Sequence, residues 1–268
     1  MKTIIIIPAR HGSTRFPGKP LADIYGKTML QRVWENAEKS AEKTGAQIVI
    51  ATDNKEIAAH AKNIGAEVVM TPHECKTGTD RALSAINSLS EKPEIIINLQ
   101  GDSPLTPPRF ITSLIEEMES SASVPVATLV VQLTWQELES LRENKKTTPF
   151  SGTTAIVDKN NDAIWFSKNI IPAIREEEKL SAAQNLSPVF RHIGIYGYRR
   201  KVLEDYVKLP QSHYEKLEGL EQLRLIENGY KIRAVKVDYK GYPSMSGIDT
   251  EEDAKRAEKI IKEHGEPQ

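Results

Sequence analysis

Short apolar runs alternate with amphipathic segments over the first 120 residues. The runs cover residues 3–7, 47–52, 66–70 and 94–99. Runs of this length, bounded by proline, glycine or polar residues, are typical of buried parallel strands. Helices are predicted to follow them at Thr28, Lys55, residues 82–89 and Pro107. These repeated strand–helix units predict an α/β fold with a doubly wound, mostly parallel sheet.

The pattern changes after about residue 124. Strand-like stretches come closer together, at residues 126–133, 153–157, 163–166 and 192–198, and predict antiparallel pairing. An amphipathic helix over 214–227, a strand over 232–237 and a final helix over 250–263 follow. We predict that residues 176–188 form a mobile excursion on the surface. Because the chain has no repeat and no clear linker, we predict one domain with two halves, residues 1–123 and 124–268.

Residues 10–20, directly after the first strand, form a cationic and solvent-facing loop. Arg10, Arg15 and Lys19 supply charge-assisted donors, and Gly12 and Gly18 let the main chain approach a ligand closely. Ligands of open α/β sheets bind beyond the carboxyl ends of the strands, so this loop suits a polyphosphate. The alternative is an ordinary loop with solvated charges, although such loops usually have only about 2–6 residues.

Neither of two familiar phosphate-binding motifs occurs in this chain. Gly18 and Lys19 are followed by Pro20, where the Walker motif requires a hydroxyl residue. No G-x-G-x-x-G precedes a helix either. The pattern therefore disfavours P-loop kinases and nicotinamide-dependent dehydrogenases.

Two aspartates are candidate ligands for Mg²⁺. Asp102 follows the strand predicted over 94–99, and Asp249 precedes the last predicted helix. Mg²⁺ prefers hard oxygen ligands and commonly takes one or two carboxylates together with substrate phosphates and water. A helix cap is the alternative role for each aspartate, and for Asp249 taken alone it is the stronger interpretation.

Composition limits the classes of partner. The chain has 268 residues, a formal net charge of −1 and a single cysteine, Cys75. Near-neutral charge gives no indication of a nucleic-acid or membrane partner, and one cysteine excludes an intramolecular disulfide. The chain starts with its first strand, leaving no room for a signal peptide, and no apolar run approaches the roughly 20 residues of a membrane span. We expect a cytoplasmic protein.

Seven sequence blocks, among them STRFPGKPL, TGTDR, NLQGD and GIDTEED, extend over nearly the whole chain. They lie at residues 7–21, 51–53, 77–81, 98–102, 192–199, 220–224 and 247–253. In this order they resemble the CMP-Kdo synthetases, the 3-deoxy-manno-octulosonate cytidylyltransferases. The resemblance implies a Rossmann-like nucleotidyltransferase fold, a homodimer, CTP and Mg²⁺. It also implies the reaction CTP + Kdo → CMP-Kdo + pyrophosphate, which activates the sugar for lipopolysaccharide assembly.

The resemblance also implies a role for each matched residue. The triphosphate would be held by Arg10, Ser13, Arg15 and Lys19, and the nucleoside by Thr79, Arg81 and Gln100. Asp102 and Asp249 would bind Mg²⁺ and, with Lys19, form the catalytic set. The sugar acid would face His192, Tyr196, Glu221 and Gln222. Without the family, the first two of these four could equally be a core pair and the last two solvated helix positions.

The chain departs from the family pattern mainly in the half that would bind the sugar. Ser103 replaces an acid, residues 149–158 lack an expected basic pattern, and Lys168 stands where arginine is commoner. An alternative acceptor is therefore 8-amino-Kdo or another acidic sugar. More distant alternatives are a non-catalytic nucleotide-sugar-binding protein and a sugar-1-phosphate nucleotidyltransferase.

Overall fold

The computed structural model describes residues 2–12, 16–245 and 247–268. Its strands are β1 (Thr3–Ala9), β2 (Asp23–Ile24), β3 (Lys27–Thr28), β4 (Gln47–Thr52), β5 (Val68–Met70), β6 (Ile95–Asn98), β7 (Val126–Thr134), β8 (Thr154–Val157), β9 (Ala163–Ser167), β10 (Leu186–Arg199) and β11 (Ile232–Lys236). Its helices are α1 (Met29–Thr44), α2 (Lys55–Asn63), α3 (Gly78–Ser88), α4 (Pro108–Ser120), α5 (Trp135–Thr147), α6 (Glu177–Ala183), α7 (Arg200–Tyr206), α8 (His213–Glu218), α9 (Gln222–Glu227) and α10 (Glu251–His264). Within these ranges, no helix combines the length and apolarity needed to cross a membrane.

One nine-stranded sheet runs through both halves of the chain. Its main path is β11-β7-β10-β6-β1-β4-β5, with β8 and β9 added beside β10. The pairs β6–β1, β1–β4, β4–β5 and β7–β11 are parallel. Strand β10 runs antiparallel to β6, β7 and β8. The predicted α/β fold with a mostly parallel first half and an antiparallel second half is confirmed.

Helices cover both faces of the sheet because the buried strands are apolar on both sides. In β1, Ile5 packs with α1 and α4, whereas Ile4 packs on the opposite face with α3 and α7. Both isoleucines are almost completely buried. Burying each such side chain contributes about 1.5–3 kcal/mol, so a continuous apolar strand stabilises a two-sided core.

The helix starts near the sheet edge follow the capping signals of the sequence. Thr28 accepts from the backbone of Gln31, and Asn54 caps α2 in the same way. Thr250 and Asp253 form a complete capping box at the start of α10. Each cap satisfies backbone N–H groups that the first turn leaves without partners. The predicted starts of these helices are confirmed.

One prediction in the second half is wrong, and one helix was missed. The single helix predicted over 214–227 is two short helices, α8 and α9, because Gly219 adopts a left-handed φ of 65° and ends the first of them. Residues 176–188 are mostly exposed, as predicted, and they contain α6 and the start of β10. Helix α5 was missed because Leu138 is its one buried residue, which leaves almost no apolar periodicity.

Candidate active site

Two loops pack closely at the carboxyl ends of β1 and β6. A Cβ atom at Gly101 would lie 2.7 Å from the carbonyl oxygen of Pro8, so this contact requires glycine. On the other side of the site, the backbone N–H of Gly18, which has a left-handed φ of 69°, donates to the carbonyl of His11 at 3.3 Å. These contacts place Asp102 beside the cationic loop.

The segment before α10 is held against Asp102 by its main chain. Ile248 donates its backbone N–H to the carbonyl of Asp102 at 2.8 Å. A Cβ atom at Gly247 would lie 3.0 Å from Oδ1 of Asp102, so a larger residue would push the two segments apart. The neighbouring Asp249 is thereby carried to the same edge of the sheet.

Lys19 joins the two aspartates. Its Nζ lies 2.9 Å from Oδ2 of Asp102 and 3.1 Å from Oδ1 of Asp249. The lysine side chain is 13% exposed, whereas the two carboxylates are 35% and 44% exposed. The two aspartates expected to bind Mg²⁺ thus meet the cationic loop at Lys19, but Lys19 is far less solvent-facing than predicted.

The donor set fits a magnesium ion that is completed by its substrate. The part of the chain that the structure describes contains no group of three or more His, Cys, Asp or Glu side chains able to hold a metal. Asp102 and Asp249 instead offer two hard oxygen ligands that one cation already bridges. Mg²⁺ commonly takes this number of carboxylates, with phosphates and water as its other ligands.

The helix-cap interpretation of Asp249 is wrong. The N-cap of α10 is Thr250, whose hydroxyl accepts from the backbone of Asp253 at 3.1 Å. Asp249 contributes its own backbone N–H to the Asp253 carboxylate at 3.1 Å. Its side chain is therefore not required as a cap and reaches Lys19.

The residues expected to bind the nucleotide differ in their surroundings. Arg10 is exposed and Gln100 is half-buried, while Ser13 and Arg15 lie outside the described residues. Arg81 is buried, and its guanidinium donates to the hydroxyl of Thr71 and, at 3.2 Å, to Asp53. A direct contact of Arg81 with the nucleotide stays a prediction.

Thr79 connects the two halves of the chain. Its hydroxyl lies 3.4 Å from Nδ2 of Asn98 and donates to Oε2 of Glu221 at 3.2 Å. Because the amide of Asn98 can only donate through Nδ2, the Thr79 hydroxyl proton is directed to Glu221. This contact joins α3 of the first half to the start of α9 in the second.

His192 and Tyr196 lie on the same face of β10, as predicted. Their rings are 5.5 Å apart, and β10 carries an irregularity in its pairing with β7 between Ile193 and Tyr196. Nε2 of His192 lies 2.9 Å from the hydroxyl of Thr128, which also donates to the carbonyl of Ile195. The Thr128 hydroxyl of β7 thus contacts the imidazole ring directly.

Burial controls the charge of this part of the site. It lowers the pKa of His192 from 6.5 to about 3, and the nearby Lys168 cation lowers it further. Burial also raises the pKa of Glu221, whereas hydrogen bonds from Thr79 and Tyr206 lower it. Yet His192 is partly exposed and Glu221 is exposed. Both side chains lie next to Tyr196 and are reached by solvent, and we call the space around them the cleft.

Gln222 has a buried amide without a partner among the described residues. The residue is 5% exposed, and its Nε2 makes no hydrogen bond there. A buried donor of this kind typically costs about 1–3 kcal/mol. The alternative of a solvated helix position is therefore wrong for Gln222.

Two residues of the cleft were not predicted as site residues. Lys168 follows β9 and lies 3.2 Å from the hydroxyl of Thr153, and burial lowers its pKa. Asn98 is fully buried at the end of β6, and its Oδ1 has no partner among the described residues. For Asn98, the available signal was a polar residue at the carboxyl end of a buried parallel strand. Lys168 follows the antiparallel strand β9 and gave no such signal.

Comparisons with known proteins identify the family. The cytidylyltransferase family model matches residues 4–232. The chain is 43% identical over 266 residues to the 3-deoxy-manno-octulosonate cytidylyltransferase of Maricaulis maris, covering 99% of both proteins. It is 34% identical to the mitochondrial 3-deoxy-manno-octulosonate cytidylyltransferase of Arabidopsis thaliana, covering 98% of this chain and 84% of that protein.

A solved structure shows the same fold. A CMP:2-keto-3-deoxy-manno-octonic acid synthetase complexed with CTP matches with a TM-score of 0.84 at 35% identity, covering 98% of this chain and 99% of that one. Sequence and structure relatives thus agree over almost the full length. The chain belongs to the cytidylyltransferases and, within them, to the CMP-Kdo synthetase family of nucleotidyltransferase enzymes.

Proposed function

We propose that the protein transfers the cytidylyl group of CTP to 3-deoxy-manno-octulosonate (Kdo), with Mg²⁺, and releases pyrophosphate. The observation that carries this proposal is the contact of the Lys19 ammonium with both Asp102, at 2.9 Å, and Asp249, at 3.1 Å. We take Lys19 as a phosphate-binding cation, the two aspartates as metal ligands, and the residues around Tyr196, on the strand paired with β6, as the acceptor site. The nucleotide and the sugar named for the relatives fit these two compartments.

In the proposed reaction, the anomeric hydroxyl of the sugar attacks the α-phosphorus, and the bond to pyrophosphate breaks. Phosphoryl-type transfer requires little covalent chemistry from the protein, which mainly positions groups and neutralises charge. Arg10 and Lys19 supply cations for the triphosphate. Asp102 and Asp249 would hold Mg²⁺, which lowers the pKa of a hydroxyl and screens phosphate charge when it is bound.

The acceptor side combines a half-buried cation with polar donors and an acceptor. Lys168 brings positive charge next to His192, which burial keeps neutral at physiological pH. The unpartnered amide of Gln222 and the carboxylate of Glu221 add a donor and an acceptor for sugar hydroxyls. A cation among hydroxyl-binding groups suits an acidic sugar such as Kdo, whose activation serves lipopolysaccharide assembly in the cytoplasm.

We also propose that the enzyme is a homodimer. Tyr214 and Leu217, three residues apart on α8, are 47% and 65% exposed. A second copy of the chain would cover such apolar surface. Light scattering after gel filtration should give about twice the 30.0 kDa of one chain. A mass near that of one chain would contradict the dimer and leave the reaction unaffected.

A grid of substrates tests the proposed reaction. Pyrophosphate release is measured with CTP, UTP, ATP and GTP against Kdo, 8-amino-Kdo and a sugar 1-phosphate. We expect release with CTP and Kdo together and none when either is omitted. Faster turnover of 8-amino-Kdo than of Kdo would identify the amino sugar as the natural acceptor. Turnover of the sugar 1-phosphate alone would contradict the proposal.

A further inference from the structure

Lys19 occupies the space between the two carboxylates that we assign to the metal. Its ammonium is within hydrogen-bond distance of Asp102 and Asp249 and is largely shielded from solvent. The lysine opens a short 3₁₀ helix, Lys19–Leu21, whose buried Pro20 fixes the backbone at this point. The ammonium is therefore placed by the fold rather than by a mobile surface loop.

A divalent cation bound to both carboxylates would meet this ammonium. Nζ of Lys19 contacts Oδ2 of Asp102 and Oδ1 of Asp249 at the same time. Two cations cannot share this gap without strong repulsion, because their charges would be only a few ångströms apart in a partly buried site. Lys19 must leave before both carboxylates can bind one metal ion.

We propose that Lys19 is an internal counter-ion that blocks the metal position until the triphosphate of a nucleotide withdraws it. This inference rests on the proposed function, because it takes Asp102 and Asp249 as metal ligands. Lysine suits the role since its charge sits at the end of a flexible stem. The phosphates offer that charge an alternative partner beside Arg10.

Such an exchange couples the two ligands. The nucleotide draws Lys19, which competes with the metal, away from the two carboxylates. The metal occupies those carboxylates, which otherwise hold Lys19 away from the phosphates. Coupling of this kind is reciprocal by thermodynamic necessity. The free enzyme then binds divalent metal weakly and gains affinity when the nucleotide is bound.

The first test measures Mn²⁺ binding without nucleotide, by electron paramagnetic resonance of the free ion. Lys19→Met should bind Mn²⁺ at least about tenfold more tightly than the wild type, a change of about 1.4 kcal/mol. Lys27→Met is the matched control, because Lys27 pairs with Glu35 at 2.7 Å rather than with either aspartate. It should leave Mn²⁺ affinity unchanged.

Three further variants keep this test decisive. Lys19→Arg retains the cation and should bind Mn²⁺ as weakly as the wild type. Lys19→Gln replaces Lys19→Met if the latter does not fold, and the same tighter binding is expected. Adding Asp102→Asn to either neutral variant should abolish the gain. Equal or weaker Mn²⁺ binding by the neutral variants would overturn the proposal.

The second test measures CTP binding by calorimetry in EDTA. Asp102→Asn with Asp249→Asn frees Lys19 and should tighten CTP binding by at least about fivefold. This increase in CTP affinity should be smaller when Lys19→Met is added, because the freed lysine provides part of the increase. A gain of the same size without Lys19 would overturn the proposal. Pyrophosphate release by the wild type with CTP and Kdo is scored separately, so failure of the counter-ion role is distinguishable from failure of the proposed reaction.

Discussion

Arg10 and Lys19 are cations of one loop with different surroundings. Arg10 is exposed, whereas Lys19 is 13% exposed and bonded to Asp102 and Asp249. Replacing Lys19 therefore disturbs both the phosphate site and the carboxylate pair. Arg10 provides the cleaner probe of phosphate binding, because its side chain supports little of the folded structure.

Arg10→Ala should lower kcat/KM by at least about 10²-fold, which corresponds to roughly 3 kcal/mol of transition-state stabilisation. The melting temperature should stay within about 1 °C of the wild type, since substitutions of exposed side chains usually change stability little. Steady-state kinetics and thermal unfolding measure the two effects. Turnover by this variant at the wild-type rate would contradict the assignment of Arg10 to phosphate binding.

His192 makes stability depend on pH. Burial lowers its pKa from 6.5 to about 3, so the unfolded chain binds a proton between these values that the folded chain does not. Stability contributed by neutral His192 is therefore present above pH 6.5 and is lost as the pH falls toward 3. The free energy of unfolding, measured with urea, should fall less between pH 7.5 and pH 5.0 in His192→Gln than in the wild type.

The control for this prediction is His213→Gln, because His213 is exposed on α8. This variant should keep the pH dependence of the wild type. An unchanged pH dependence in His192→Gln would mean that His192 is protonated in the folded state as readily as in the unfolded chain.

At the scale of elements, the start of α10 separates a structural residue from a functional one. Thr250 closes the capping box with Asp253, while the neighbouring Asp249 reaches Lys19. Adjacent positions thus serve stability and chemistry. The two roles are separable by substitution.

Thr250→Ala should lose roughly 1 kcal/mol of unfolding free energy, as cap removals typically do, and retain most activity. Asp249→Asn should show the reverse: nearly intact thermal stability and a large loss of metal-dependent turnover. Because Asp102 and Asp249 would act as a unit, the double Asn variant should be scarcely worse than the poorer single variant. Fully additive losses would place the two carboxylates in separate sites.

Local signals predicted the elements where burial is strong. The β1 strand and the caps Thr28 and Asn54 could be predicted because each depends on neighbouring residues. The break at Gly219 was missed because the leucines on either side keep a helical spacing across it. Helix α5 was missed because a helix with one buried residue has almost no periodic signal.

The candidate site residues were chosen from sequence blocks, but the contacts between their side chains could not be predicted. Lys19 is 83 residues from Asp102 and 230 residues from Asp249, so their meeting depends on the whole sheet. The ammonium bridge and the link from Thr79 to Glu221 are side-chain contacts between distant segments. No local pattern specifies such contacts.

At the scale of the whole molecule, one sheet carries both compartments of the site. Strand β10, which holds His192 and Tyr196, pairs directly with β6, after which Asp102 lies. The proposed acceptor cleft is thus fixed relative to the proposed metal-binding edge. We expect the two compartments to bind their substrates separately while sharing one rigid frame.

Gln222→Ala and Tyr196→Phe should weaken use of the sugar and leave CTP binding close to that of the wild type. A cleft that binds sugar hydroxyls leaves its own polar groups unpaired when a partner is removed, so the loss in kcat/KM for the sugar should exceed tenfold. Calorimetry with CTP alone and kinetics with varied sugar separate the effects. Equal loss of CTP affinity would assign both residues to the nucleotide site or the core.

The most direct test of the central claim is ³¹P NMR of wild-type enzyme with CTP, Kdo and Mg²⁺. We predict that the triphosphate signals are replaced by one pyrophosphate and one phosphodiester of CMP-Kdo for each CTP consumed. With EDTA in place of Mg²⁺, the spectrum should stay unchanged. Pyrophosphate accompanied by free CMP, or intact CTP in the presence of Kdo, 8-amino-Kdo and Mg²⁺, would contradict the account.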